Sequence, residues 1–220
     1  MKKVLIAGAS GMIGELILKE CLSSDKVEKV ISLVRRNSNH SHPKLQEIII
    51  EDFSNYGAHE VLFQNIDAAF FCIGVYTGQV SKQEFKKITV DYAISFAQVL
   101  KNNSPNAKIC LLSGAGADRT EKSRTAFARF KGIAESKISE FGMEFYTFRP
   151  AYIYPVTPRK EPNFMYTISR ALYPLIKLFG KNASIPSTQL AKAMFEVGMH
   201  GSEKEILENR DILEVLDNNM

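Results

Sequence analysis

The apolar residues of this chain fall in short unbroken runs, separated by longer stretches with helical spacing. Val4-Leu5-Ile6-Ala7 is the first run, Val27 to Val34 the second, and Gln46 to Glu51, holding Ile48-Ile49-Ile50, the third. Ile66 to Ile73, Ala107 to Leu112 and Glu144 to Phe148 follow. A run without polar alternation suits a strand covered on both faces. Between the runs the period changes. Met12 and Leu16 begin a helix after the first run, and Phe85, Ile88, Tyr92, Phe96 and Val99 or Leu100 mark one face of a helix predicted from about Ser81 to Asn102, ended by Asn103-Ser104-Pro105-Asn106. A further helix is predicted from about Ser123 to Phe141. Strand and helix alternating in this way predict an α/β chain with a doubly wound parallel sheet, a Rossmann fold.

From Ala151 the pattern changes. Tyr152, Tyr154, Pro155, Pro158 and Pro162 lie in an irregular segment, and an apolar helix is predicted around Phe164 to Phe179, with Arg170, Lys177 and a kink at Pro174. Its charges favour a buried or dimer-forming helix over a membrane-surface one. The expected organisation is a dinucleotide-binding core over residues 1–150 and a small C-terminal substrate lobe over 151–220 packed on it. The last eighteen residues carry six acids and two bases and read as a solvated tail.

Composition narrows the classes. The chain is 45% hydrophobic and 24% charged, which excludes a disordered or fibrous protein. Its net charge of +4 is spread among acids, so no basic stripe offers itself to nucleic acid. Cys21, Cys72 and Cys110 are far apart, with no C-x-x-C pair, which argues against zinc or a disulfide framework and fits a reducing cytoplasm. No apolar stretch is long enough for a membrane span, and the run after Met1-Lys2-Lys3 is too interrupted for a signal peptide. His40 and His42, without ligands at metal spacing, are read as part of a solvated loop.

Candidate chemistry begins where the first run meets Gly8-Ala9-Ser10-Gly11-Met12-Ile13-Gly14. Between a strand and a helix, Gly8 permits a tight turn, Gly11 lets backbone approach a pyrophosphate, and Gly14 lets the helix pack closely on the strand. The spacing is G-x-x-G-x-x-G, a variant of the dinucleotide loop. Arg35 and Arg36 end the second strand about twenty residues later, where an acid would bind the ribose 2′-hydroxyl of NAD. Guanidinium groups there can bind a 2′-phosphate, which favours NADP; the alternative is two arginines that merely end an exposed strand. Asp52-Phe53 leaves the third strand on the crevice side, the carboxylate suited to an adenine amino group and the ring either lying against the base or belonging to the core. Gly74 follows the fourth strand where backbone would again pass a cofactor, and Cys72 reads as packing.

Taken together, Gly8-x-x-Gly11-x-x-Gly14, Asp52-Phe53, Cys72-Ile73-Gly74, Ser113 to Asp118, Lys131-Gly132 and Arg149-Pro150 resemble the short-chain dehydrogenase/reductase superfamily. The resemblance is to its atypical, NAD-dependent epimerase/dehydratase-like members and their Tat-interacting oxidoreductase-like branch. It covers nearly the whole chain. The resemblance implies a bound NADP (NADPH), with Pro150 and Tyr152 joining the cofactor set. It also implies that Ser113 orients a substrate carbonyl and that Lys131 holds the nicotinamide ribose. A tyrosine four residues before the lysine donates the proton in that family; here the position is Phe127, which has none to give. Tyr76, Tyr152 and Tyr154 either supply a hydroxyl in its place or are packing residues. Three functions remain open: an NADPH-dependent reductase of a small carbonyl or unsaturated compound, a cofactor-binding sensor or interaction protein without turnover, and an isomerase or epimerase. A homodimer is compatible with each, and the substrate is unspecified.

Overall fold

The computed structural model describes residues 1–38, 40–76, 78–157, 180 and 182–217. The chain alternates β1 (Lys2–Ala7), α1 (Met12–Ser23), β2 (Val27–Val34), β3 (Leu45–Ile49), a 3-10 turn (Gly57–Phe63) and β4 (Ala68–Phe71). Next come α2 (Lys82–Lys86), a π-helical turn (Lys87–Asp91), α3 (Tyr92–Asn103), β5 (Lys108–Leu112), α4 (Ala126–Ser139) and β6 (Glu144–Arg149). The described remainder is β7 (Tyr152–Tyr154), β8 (Ser184–Pro186), α5 (Ser187–His200), β9 (Ile206–Glu208) and α6 (Asn209–Asp217). The helix expected around Phe164 to Phe179 lies outside the described residues.

Among the described residues seven parallel strands form one sheet in the order β3-β2-β1-β4-β5-β6-β9, and β7 pairs with β8 in a second, two-stranded sheet. This is the Rossmann-like α/β arrangement expected from the alternating runs. Successive strand residues point to opposite faces, and both faces are covered. Val4, Ile6, Phe70, Cys110 and Phe148 meet Ile13 and Ile17 of α1 and Leu190 and Met194 of α5. Leu5, Ala7, Ala69, Phe71, Ile109 and Leu111 meet Phe96 and Leu100 of α3 and Ala134 and Ile138 of α4. Each fully buried Val, Leu, Ile, Phe or Met among them contributes about 1.5–3 kcal/mol.

The sheet order reverses between β1 and β4, which places their carboxyl ends beside an open crevice. Cys72 donates its amide to the Ala7 carbonyl at 2.8 Å, so the turns after the two strands lie side by side. That contact constrains Gly8. It has φ of +92°, and a Cβ there would lie 2.8 Å from the Cys72 carbonyl carbon. Gly14 faces the Gly8 carbonyl so closely that any Cβ would collide with it, and α1 can therefore sit directly on the turn.

The helix expected from Ser81 to Asn102 is interrupted by the π-helical turn. Phe85 and Phe96 stand about three turns apart and would share one face of a regular α-helix. The wider turn separates them: Phe85 packs with Phe130 of α4, and Phe96 packs under the sheet.

The C-terminal residues are not the solvated tail expected from their charge. β9 pairs with β6, and Ile212 of α6 is fully buried against the α1/α5 layer. The Asn209 side chain accepts from the Ala151 amide at 2.9 Å and donates to the Ser184 carbonyl at 3.0 Å, tying α6 to the strands beside it. The acids occupy the outer face of an amphipathic helix whose inner face completes the core. Ile212→Ala should therefore cost about 2–5 kcal/mol in a urea titration, whereas a solvated position would change by less than about 0.5 kcal/mol.

Candidate active site

The carboxyl ends of β1, β4, β5 and β6 converge on a cavity of about 640 Å³. Gly11, Met12 and Ile13 form one end, Cys72, Ile73 and Gly74 the side beneath β4, and Pro150 and Tyr152 the side beyond β6. Gly11 is the N-cap of α1, and no side chain caps that helix. The first-turn amides and the positive end of the helix dipole are thus presented to the cavity. Ala9 is buried beneath the turn, Ser10 is exposed on it, and Gly8 and Gly14 shape it from below.

Arg35 and Arg36 are exposed after β2, and neither makes a hydrogen bond or ion pair among the described residues. The loop beyond them is fastened to β3 by Ser38, which donates its amide and hydroxyl to Glu47 at 2.9 and 2.6 Å. Asp52 is exposed, and the Ser54 hydroxyl and amide, donating at 2.7 and 2.9 Å, hold its carboxyl below the usual range. Phe53 resolves to the core: its ring is buried, edge-on to Tyr56 at 6.2 Å and tilted against Tyr92 at 5.9 Å. Of that pair, Asp52 and not the Phe53 ring stays exposed.

The reactive corner is built by one face of α4. Phe127, Lys131 and Glu135, one turn apart, meet Gly114, Leu112 and Ser113 at the end of β5. The tip of the Phe127 ring, Cζ, lies 2.5 Å from where a Cβ on residue 114 would sit, so any side chain there would displace the ring. Lys131 Nζ donates to the Leu112 carbonyl at 2.9 Å and lines the cavity. Burial drives its ammonium down to about 8, with the Glu135 charge pulling the other way.

Ser113 lines the cavity just after β5. Its hydroxyl donates to Glu135 Oε1 at 2.5 Å. Glu135 is fully buried and also accepts from Arg149 Nη2 at 2.6 Å, Arg149 Nε at 3.1 Å and Arg119 Nε at 3.0 Å. Burial alone would raise this carboxyl, but the bonds from Arg149, Ser113 and Arg119 outweigh it and hold the group below its ordinary value. It is a carboxylate. Gly132 brings Arg119 there, because a Cβ at 132 would collide with the Asp118 carbonyl and hold that backbone off α4.

Glu135 is the residue that sequence reasoning missed. Its signal was its position one turn beyond Lys131, on the face already assigned to the site. Tyr76 and Tyr152 line the cavity, whereas Tyr154 does not. Burial pushes the Cys72 thiol up to about 12, so it stands in the wall as an inert group.

Residues 4–169 match the NAD dependent epimerase/dehydratase family. Protein HTATIP2 of Rattus norvegicus is 27% identical over 218 residues, covering 96% of this chain and 88% of that one. Among solved structures, Gre2 of Candida albicans in complex with NADPH superposes with a TM-score of 0.72 at 15% identity, over 94% of this chain and 78% of Gre2. The Bordetella bronchiseptica enzyme WbmH in complex with NAD+ gives 0.71 at 17% identity, over 94% and 75%. At such identities the structural likeness is one of fold.

The buried carboxylate sets a testable pH dependence. A carboxyl held below its ordinary 4.5 in the fold stabilises the protein fully above that pH, and the contribution is lost as pH falls through the folded value. Glu135→Gln should cost about 3 kcal/mol at pH 7, near the low end for a broken buried pair because one acceptor remains. In urea titrations the gap between parent and variant should narrow below pH 4.5.

Proposed function

The chain belongs to the NAD dependent epimerase/dehydratase family, and on that premise we propose that it binds NADP(H) and exchanges a hydride with a small carbonyl or unsaturated compound. The observation that carries this reading is the uncapped α1 N-terminus opening onto the same cavity as Lys131. The amides after Gly11 suit a pyrophosphate, and Lys131 suits the nicotinamide ribose. Cys72, Ile73, Gly74, Pro150 and Tyr152 would enclose the cofactor between these points. NADP(H) supplies the hydride; the chain supplies binding, orientation and a largely apolar enclosure.

The preference for NADP rests on Arg35 and Arg36. Gre2 was solved with NADPH and WbmH with NAD+, so the fold serves either cofactor. Two exposed guanidinium groups at the end of β2, without a partner among the described residues, favour a 2′-phosphate over a bare ribose.

A second reading, a cofactor-binding sensor or interaction protein, is favoured by Phe127, since the residue in the tyrosine position has no acid. General acid catalysis is worth about 10²- to 10⁴-fold, so its loss slows hydride transfer without forbidding it. Oxidation of NADPH with 9,10-phenanthrenequinone or benzaldehyde separates the two. Turnover above the uncatalysed rate is expected, and intact NADPH binding with no turnover across a panel of such carbonyls would favour the sensor.

Cofactor binding itself is expected to respond in two ways. Gly11→Val places a side chain in the space a pyrophosphate would occupy and should abolish dinucleotide binding by calorimetry. Arg35→Ala or Arg36→Ala should weaken NADPH by roughly ten- to a hundredfold and leave NADH nearly unchanged, as loss of a charged hydrogen bond of about 1.5–3 kcal/mol requires. Equal losses for both cofactors, or an NADH preference in the parent, would refute the NADP assignment.

A further inference from the structure

A serine hydroxyl has one proton to donate and two lone pairs to accept with. At Ser113 the proton is already committed. Its partner, Glu135 Oε1, belongs to a carboxylate sealed from water, which can only accept, and 2.5 Å lies at the short end of charge-assisted O–H···O bonds. Turning the hydroxyl toward the cavity would set a lone pair against a buried negative oxygen. Arg119 and Arg149 already supply the other bonds that keep the carboxylate ionised, so it holds no proton to give back.

Ser113 nevertheless lines the cavity, between Leu112 and Gly114. We infer that Glu135 fixes the polarity of this cavity: Ser113 meets a ligand as an acceptor, and the position selects a group that donates, a hydroxyl or an N–H, over a bare carbonyl oxygen. Glu135 is a positioning residue, acting through Ser113 without touching the ligand. Phe127 reinforces the same polarity, because its ring offers no proton to a carbonyl at the neighbouring position. The inference deepens the proposed function and rests on it for the cavity being the ligand site. Of a carbonyl and its alcohol, the alcohol hydroxyl is the partner that fits at Ser113, and a substrate reduced here needs a donor of its own to sit against that residue.

The test uses benzamide and acetophenone, which share a ring and a carbonyl and differ in carrying an NH2 or a methyl group. Neither reacts with NADP+. Binding of each is measured by ligand-observed NMR to the whole protein, with and without NADP+, so that a failure of dinucleotide binding is seen separately from a failure of the cavity preference. Ser113→Ala should weaken benzamide about five- to tenfold and leave acetophenone unchanged or slightly tighter, the change expected for one hydrogen bond. Glu135→Gln, whose amide can donate to Ser113 and release its proton toward the cavity, should move the preference toward acetophenone. A general loss of structure would weaken both probes alike. Equal weakening by Ser113→Ala, a parent in which acetophenone loses more than benzamide on that substitution, or binding of neither probe would overturn the inference.

Discussion

A carboxylate without water around it must be surrounded by donors, and the burial of Glu135 imposes that requirement on much of the molecule. Its four bonds come from three separate parts of the chain: Ser113 after β5, Arg119 in the following loop, and Arg149 at the end of β6. Both arginines reach outward as well. Arg149 pairs with Glu208 of β9 at 3.0 Å, and Arg119 with Glu205 just before it at 2.7 Å. The edge strand is thereby linked to the carboxylate behind the candidate site. Exposed ion pairs of this kind contribute little by themselves, so the strength lies in the buried carboxylate and the outer pairs chiefly orient the two guanidiniums.

The opposite side of the crevice is governed by steric approach instead of charge. Gly8 and Gly14 let β1, α1 and the turn after β4 close on each other, and the result is a helix terminus with no side chain over it. The two sides meet in one cavity because β1, β4 and β5 are neighbours in the sheet. A fixed array of amides on one wall and a fixed array of side chains on the other is the preorganisation that a bound dinucleotide would need.

How much of this could be read in the residues depends on how local the cause was. Strands buried on both faces announce themselves as unbroken apolar runs, and β2 was expected over the same residues that form it. The glycine turn was readable because its constraint is covalent and steric. The π-helical turn was not, since a regular helical period fits Phe85 and Phe96 equally well and only their separate partners distinguish them. β9 is three residues long, too short to register as a run, and the acids around it masked the apolar side of α6. Phe53 was undecided between base and core because the choice rests on Tyr56 and Tyr92, the latter from a distant helix. Glu135 had no signal beyond its place one turn after Lys131: in a charged helix it looks like a surface residue until Arg119 and Arg149 are brought to it.

The register between α4 and β5 joins these observations. Three successive residues at the end of the strand are each met by one residue of the helix. The Leu112 carbonyl receives Lys131, the Ser113 hydroxyl is taken by Glu135, and Gly114 is covered by Phe127. One contact is a charged hydrogen bond to backbone, one a charged hydrogen bond to a side chain, and one is pure packing. A shift of the helix along the strand would therefore break two polar interactions in a buried setting as well as a ring contact, which holds α4 in register with β5. Phe127 supplies the apolar part of that register. The phenyl packs against Gly114 without titrating, so of the three α4 residues that meet the strand end only the lysine and the carboxylate are ionisable, with charges of opposite sign. The serine between them takes its polarity from the carboxylate, and the chemistry open to a ligand at this point follows from that one proton's direction.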